Sequence, residues 1–155
     1  MAGGTGSDEG RVRRQQGRPN VVRGSAAMIA GMRPRLDPGE FVFCTVEDAA
    51  ATAALLARSV STVREREGVS LVLERHLAGA MALDASLAMR RITLEVHSAL
   101  DGVGLTAAVA TALAAHGIPC NMVSAYHHDY VFVPSAAADR ALAVLLGLES
   151  AAPSP

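Results

Sequence analysis

The clearest pattern of apolar and polar positions in this chain is an alternation across residues 91–97. Ile92, Leu94 and Val96 occupy every second position, and the residues between them are polar or charged. Because successive side chains of a β-strand point to opposite faces, this pattern predicts a strand with one face in a core. A polar turn at 97–102 follows it.

The residues after this strand predict a helix, a pair of strands and a second helix. Apolar residues at helical spacing run through 104–116, and Gly117 follows as a residue typical of helix ends. Apolar runs at 118–126 and 129–134 predict two strands joined by a tight turn, and residues 136–146 predict the second helix. The order β-α-β-β-α lacks one strand of a βαββαβ ferredoxin-like unit.

The first half of the chain carries weaker signals of the same kind. They predict a short helix at 25–32, a strand at 40–46, one helix within 47–68 and a strand at 69–73. Residues 74–89 fit either a helix or a loop. Strand 41–46 or strand 69–73 must complete the C-terminal sheet or start a second one, so we expect the two halves to depend on each other.

Composition divides the chain into two tails and two halves. Residues 1–24 are Gly-rich and polar, and such a segment cannot bury enough apolar area to offset its ordering entropy. We predict a disordered tail at residues 1–24, an N-terminal half at 25–89, a C-terminal half at 90–148 and a second disordered tail at 149–155.

Charge and hydropathy restrict the class of protein. Half of the 155 residues are hydrophobic, which is enough for a real core, and the net charge is −1. This charge gives no general field for nucleic acid or for an anionic membrane. No apolar run reaches a transmembrane length, the N-terminus lacks the apolar core of a signal peptide, and both cysteines are expected to be free thiols. We therefore expect a cytoplasmic protein.

Several segments in both halves resemble the ACT-domain superfamily. In the C-terminal half they are 93–100, 103–110, 117–121 and 128–134, and in the N-terminal half they are 32–34, 39–46 and 66–71. The chain is most similar to a small bacterial branch of stand-alone tandem ACT proteins, and the likeness covers roughly residues 26–147.

This resemblance implies a fold and a function. The implied fold is α+β, with two interdependent ferredoxin-like βαββαβ modules packed side by side. The implied function is regulatory binding of an amino acid without catalytic apparatus or cofactor. Common ACT domains carry Asp-x-Pro-Gly before the helix, whereas residues 101–104 lack the proline. The first half has no glycine-opened loop of its own, so at most one module is expected to bind.

The loop before the predicted helix has the chemistry of an anion site. Gly102 and Gly104 lack a Cβ, so the N–H groups of residues 103–106 can approach a carboxylate at a helix N-terminus. Asp101 is a candidate partner for the ligand's ammonium group, and Asn121 for both of its ends. The predicted ligand-binding residues are Asp101, Gly102, Val103, Gly104, Leu105, Thr106, Asn121, Met122 and Val123. In the alternative interpretation, the glycines only let the chain turn and pack, and Asp101 caps the helix.

The histidines suggest a metal site or acid–base chemistry, but their placement argues against both. His97, His127, His128 and Asp129 would meet if their strand ends adjoin. Neighbouring residues of a strand point to opposite faces, so two adjacent histidines cannot readily ligate one ion. We therefore predict no metal site and no catalytic residues.

The sequence favours a non-catalytic, amino-acid-binding regulatory protein of ACT type. We expect a homodimer that takes an amino acid or a similar small carboxylate, with a client enzyme that the sequence does not identify. One alternative is a ligand-free module for protein–protein interaction or oligomerisation. Another is a small metal-dependent enzyme.

Overall fold

One seven-stranded antiparallel sheet forms the frame of the molecule in the computed structural model, which describes residues 21–152. The strands are Pro34–Leu36 (β1), Phe41–Val46 (β2), Ser61–Arg64 (β3), Val69–Glu74 (β4), Met89–Leu94 (β5), Asn121–Ser124 (β6) and Asp129–Pro134 (β7). The helices are Ser25–Ala30 (α1), Ala49–Leu56 (α2), Arg75–Ala80 (α3), Leu105–Ala115 (α4) and Ala138–Ala151 (α5). A short 3₁₀ turn, Ser135–Ala137, leads into α5.

The predicted α+β fold with two ferredoxin-like modules side by side is confirmed. The strand order is β3-β4-β2-β5-β7-β6, with β1 beside the free part of the β5 edge. In the C-terminal module, β5-α4-β6-β7-α5 is completed by β1. In the N-terminal module, β2-α2-β3-β4-α3 is completed by β5, through the pairing of Phe41 with Met89. Strand β5 therefore belongs to both modules.

Strands 41–46 and 69–73 belong to the N-terminal module, which is the second of the two alternatives that the sequence left open, and a different strand completes the C-terminal module. Strands 41–46 and 69–73 were the candidates, whereas the structure pairs Pro34–Leu36 with β5, from Pro34 opposite Leu94 to Leu36 opposite Ile92. Three residues are too few to show an alternation of apolar and polar positions. The segment lies between a helix end and a Pro-Gly turn, so its sequence is typical of a connection.

The predicted helix within 47–68 is shorter than expected. It is α2, which Asp48 caps by accepting a 2.7 Å hydrogen bond from the N–H of Ala51. The rest of the segment forms β3 and a hairpin to β4, in which the N–H of Glu65 donates to the carbonyl of Gly68 at 2.8 Å. Three of the four residues in the run Val60–Val63 are β-branched and favour extended backbone, and this preference prevails over the apparent helical spacing.

The main core lies between the C-terminal part of the sheet and helices α1, α4 and α5. The residues that β5 and β7 contribute to this face include Ile92, Leu94, Val131 and Val133, and all four are fully buried. Val109 and Leu113 of α4 are buried against them, as their helical spacing predicted. A smaller core lies under α2 and α3.

The ends of the described chain are more structured than the sequence indicated. Residues 21–24 were predicted as part of a tail, but Val22 forms a parallel bridge with Ser98. Residues 149–151, also predicted as tail, continue α5. Residues 1–20 and 153–155 lie outside the described part of the chain. None of the helices within residues 21–152 is long and apolar enough to cross a membrane.

Candidate functional site

The loop between β5 and α4 is held in place by the segment that precedes α1. The N–H of Val22 donates to the carbonyl of His97 at 2.9 Å, and the N–H of Ala99 donates back to the carbonyl of Val22 at 2.9 Å. Arg23 Nη1 contacts both carboxylate oxygens of Asp101, at 2.5 and 2.6 Å. The N-terminal segment therefore lies across the loop in which the sequence predicted a ligand.

Both loop glycines are required by this close packing. Gly104 has a φ of +111°, and a Cβ at this position would lie 2.8 Å from Cβ of Ser25. A Cβ on Gly102 would lie 2.9 Å from the carbonyl oxygen of Ala99 and 3.0 Å from Sδ of Met28. The packing role that the alternative interpretation gave to these glycines is thus present in the structure.

The front of α4 still carries free backbone donors. No side chain caps the helix, and within residues 21–152 the N–H groups of Leu105, Thr106 and Ala107 have no hydrogen-bond acceptor. These donors and the helix dipole favour an anion at this end of the helix. Asp101 is not the cap, because it is exposed and paired with Arg23, whose hydrogen bond holds the pKa of that carboxyl below its usual range.

A small cavity of about 90 Å³ lies at this helix end. Three of the predicted site residues line it: Gly102, Leu105 and Thr106. The other lining residues are Met28, Ser98, Ala99, Leu100, Ser124 and Asp129. The side chain of Met28 comes from α1, so the N-terminal segment forms part of the cavity wall.

Four of the other predicted site residues do not line this cavity. Val103 is 81% exposed. Asn121, at the start of β6, pairs with Phe132, and its amide nitrogen is 4.0 Å from Sδ of Met89. Because β6 returns along the sheet from the C-terminal end of α4, its first residue is far from the helix front. Met122 packs on the main core, and Val123 lies on the opposite face of the sheet.

Asp129 was not among the ligand-binding residues that the sequence predicted. This residue opens β7 on the same face as Val131 and Val133, is buried, and accepts a 2.7 Å hydrogen bond from Ser98 Oγ. A carboxylate that opens an otherwise apolar strand is the signal that would have identified it. The cavity thus has amide donors on the helix side and a buried carboxylate on the sheet side.

The histidine rings converge, contrary to the expectation that adjacent histidines diverge. The ring centroids of His97 and His128 are 4.9 Å apart, and those of His97 and His127 are 5.9 Å apart. Residues 127 and 128 lie in a turn, where the alternation of a strand does not apply. Within residues 21–152, no group of three His, Cys, Asp or Glu side chains has the geometry to hold a metal ion.

Comparison with known proteins connects this architecture to a family. Two models of the ACT domain match consecutive parts of the chain, residues 26–90 and 89–146. The chain belongs to the ACT-domain superfamily. ACT domains are regulatory modules without catalytic residues of their own. None of the curated protein sequences matches this ACT protein significantly.

Solved structures agree with a tandem ACT fold. A protein of unknown function from Vibrio cholerae, described as a possible transport protein, is 42% identical with a TM-score of 0.71, over 80% of this chain and 94% of that one. A protein from Agrobacterium tumefaciens is 18% identical with a TM-score of 0.59, over 75% and 87% of the two chains. The ligand-free regulatory subunit of aspartate kinase from Thermus thermophilus is 12% identical with a TM-score of 0.51, over 74% and 95%. The last two similarities concern the fold alone.

Proposed function

We propose that this ACT protein is a non-catalytic regulatory protein that binds a small amino acid at the front of α4. The observation that carries the proposal is the pairing of unused helix N–H groups with the buried carboxylate of Asp129 in one cavity. An amino-acid zwitterion needs donors for its carboxylate and an acceptor for its ammonium group. The cavity supplies both within a single small volume.

Each end of the ligand has a defined partner in this proposal. The ligand carboxylate accepts hydrogen bonds from the N–H groups of Leu105 and Thr106, where the helix dipole adds about 0.3–1 kcal/mol for an anion. The ligand ammonium donates to Asp129, whose carboxylate otherwise has Ser98 as its hydrogen-bond donor within the described chain. Hydrogen bonds to charged groups contribute about 1.5–3 kcal/mol each, so both ends add substantially to affinity.

The size of the cavity favours the smallest amino acids. A volume of about 90 Å³ is roughly three times the 30 Å³ or so that one molecule takes up in liquid water. Glycine, alanine and serine fit this space, whereas a larger side chain requires Met28 and α1 to move away. Departure of α1 would also give a partner protein access to the loop, which offers a physical route from ligand binding to regulation of a client enzyme.

Calorimetric titration with glycine, alanine and serine, together with the other common amino acids, tests the proposal. We expect saturable binding of a small amino acid, with a melting-temperature increase of about 5–11 °C at a hundredfold excess over Kd. Asp129→Asn should weaken binding at least tenfold, because it removes the negative charge that the ammonium group needs. Glu67→Gln, a change to an exposed carboxylate on the β3–β4 hairpin, is the control and should bind normally.

An interaction module without a ligand is the second candidate. It is favoured by two apolar side chains at the tip of the same loop, Leu100 and Val103, which are 71% and 81% exposed. This second function replaces the first if no amino acid binds and if the double variant Leu100→Ser/Val103→Ser is a monomer where the unmodified protein is an oligomer. The homodimer and the cytoplasmic location remain predictions in both cases.

A further inference from the structure

A second concave site lies on the face of the sheet that carries no helices. Strands β1, β5 and β7 form an open cup of about 490 Å³, lined by alternate residues of these strands and of the residues that flank them. His97 and His128 line the cup, and the residue after each of them, Ser98 or Asp129, lines the cavity at α4. The two sites are therefore on opposite faces of the sheet and have different lining residues.

The floor of the cup is a fixed ionic network around Asp37. This buried carboxylate accepts from Arg35 Nη1, Arg91 Nε and Thr93 Oγ1, each at 2.6 Å. The guanidinium of Arg91 also lies 4.9 Å from the ring centroid of Phe41 and 5.2 Å from that of Tyr130. These contacts hold the floor in one arrangement before any ligand arrives, which lowers the entropic cost of binding.

Three polar groups beside the cup, one exposed and two buried, have no partner within residues 21–152. The guanidinium of Arg33 forms no hydrogen bond or ion pair there, although its backbone N–H donates to Glu149 at 2.9 Å. Nδ1 of His97 and Nδ1 of His128 are buried and make no hydrogen bond. Buried polar atoms are nearly always paired in folded proteins, so a ligand group that turns these two imidazoles toward the cup would satisfy both atoms.

The backbone of Arg33 gives an independent indication. Its φ is +41°, in the left-handed region, where a residue other than glycine has a conformational free energy about 1–2 kcal/mol less favourable. Strained residues of this kind cluster at ligand sites, where the strain positions a functional side chain. Three arginines and two carboxylates, those of Asp37 and Glu95, line the cup, so the arginines exceed the carboxylates by one positive charge.

We propose that this cup binds a small organic polyanion through Arg33, His97 and His128. The anionic group is a carboxylate or a phosphate, because an arginine guanidinium recognises either through paired hydrogen bonds. Arg35 donates from Nη1 to Asp37 and from Nε to Glu95, and its Nη2 is the donor that remains for a second anionic group. A ligand with two or more anionic groups uses both arginines, whereas a monoanion such as acetate uses one.

Titration of the full chain with citrate and with inorganic phosphate in Tris-chloride buffer tests this site. We expect saturable one-to-one binding of at least one of them, much weaker binding of acetate, and shifts of the imidazole NMR signals of His97 and His128. Arg33→Gly should weaken binding at least tenfold while it preserves or raises the melting temperature, because glycine relieves the strained φ. Arg58→Ala, at an exposed arginine distant from the cup, should leave binding unchanged.

The outcomes separate this proposal from the amino-acid site. Binding of phosphate alone, or of citrate alone, identifies the anionic group. Absence of saturable binding by both probes overturns the proposal, and so does an equal loss of affinity in Arg33→Gly and Arg58→Ala. Asp129→Asn should retain binding of the polyanion, so failure of the amino-acid site would leave this result intact.

Discussion

Replacement of Gly104 by alanine tests the contact between α1 and the front of α4. The new methyl group would lie 2.8 Å from Cβ of Ser25, a separation that real Cβ atoms do not adopt, so one of the two elements must move. The residue would also have to keep a φ of +111°, which alanine rarely adopts. Both effects destabilise the docked position of α1.

The size of the effect follows from these two terms. A sparsely populated backbone conformation costs about 1–3 kcal/mol, and an extra methyl group in a tight contact costs another 1–3 kcal/mol or so. We therefore expect Gly104→Ala to lower the free energy of unfolding by about 2–6 kcal/mol. For a chain of this size, the melting temperature should fall by at least about 4 °C.

Thermal and urea denaturation, followed by circular dichroism, measure this change against a matched glycine. Gly147, inside α5, has no heavy atom within 4 Å of a built Cβ, so Gly147→Ala should stabilise the protein by about 0.5–1 kcal/mol. A double-mutant cycle with Ser25→Gly isolates the steric term, because glycine removes the atom that the new methyl group meets. The backbone term should remain in the double variant.

Two results would refute this reasoning. If Gly104→Ala is as stable as the unmodified protein, α1 does not pack on the loop as described. If Ser25→Gly recovers none of the lost stability, the steric contact is absent and the glycine is needed for its backbone conformation alone.

Three further changes test other parts of the structure. Deletion of residues 21–37 removes α1 and β1, so the variant should bind the dye ANS and lose cooperative unfolding. A native-like melt would contradict the completion of the C-terminal module by β1. The hydrogen bond from Arg23 is the main cause of the lowered pKa of Asp101. This pair should therefore stabilise the docked N-terminal segment fully above about pH 4, the ordinary pKa range of a carboxyl group. The stabilisation should disappear as the pH falls through the lowered pKa. Asp101→Asn should abolish that acid dependence in limited proteolysis. Burial raises the pKa of the thiols of Cys44 and Cys120, so both should react with DTNB at pH 8 more slowly than free cysteine, and rapid reaction would show that they are more exposed.

The sequence predicted the parts of the fold that have a strong local pattern. The alternation around Ile92 located β5, the spacing of Val109 and Leu113 located α4, and the apolar run at 129–134 gave the bounds of β7. In each case the pattern is long enough to show which face is buried. The resemblance to ACT domains then predicted the order of elements that the structure shows.

The elements that were missed depend on partners distant in the sequence. Strand β1 has three residues and exists because β5 offers it an edge about 58 positions later. Strand β3 carries exposed residues on both faces, so it lacks a regular alternation. Neither segment contains a local signal strong enough to separate a strand from a loop or a helix.

The candidate sites show the same limit. The glycines near α4 were evident in the sequence, but the direction of β6 decides that Ser124 lines the cavity and that Asn121 does not. The cup is assembled from residues near positions 35, 93 and 128, which only strand pairing brings together. Their chemistry is visible in the sequence, and their proximity is not.

The most direct test of the amino-acid site is a ¹⁵N NMR titration of the full chain with glycine, alanine and serine. At least one of them should produce saturable shifts of the backbone N–H signals of Leu105 and Thr106. In Asp129→Asn these shifts should require at least tenfold more ligand, whereas Glu67→Gln should titrate as the unmodified protein does. If all three amino acids leave both signals unchanged, or if Asp129→Asn titrates at the same ligand concentrations as the unmodified protein, then the front of α4 and Asp129 do not form the proposed binding site.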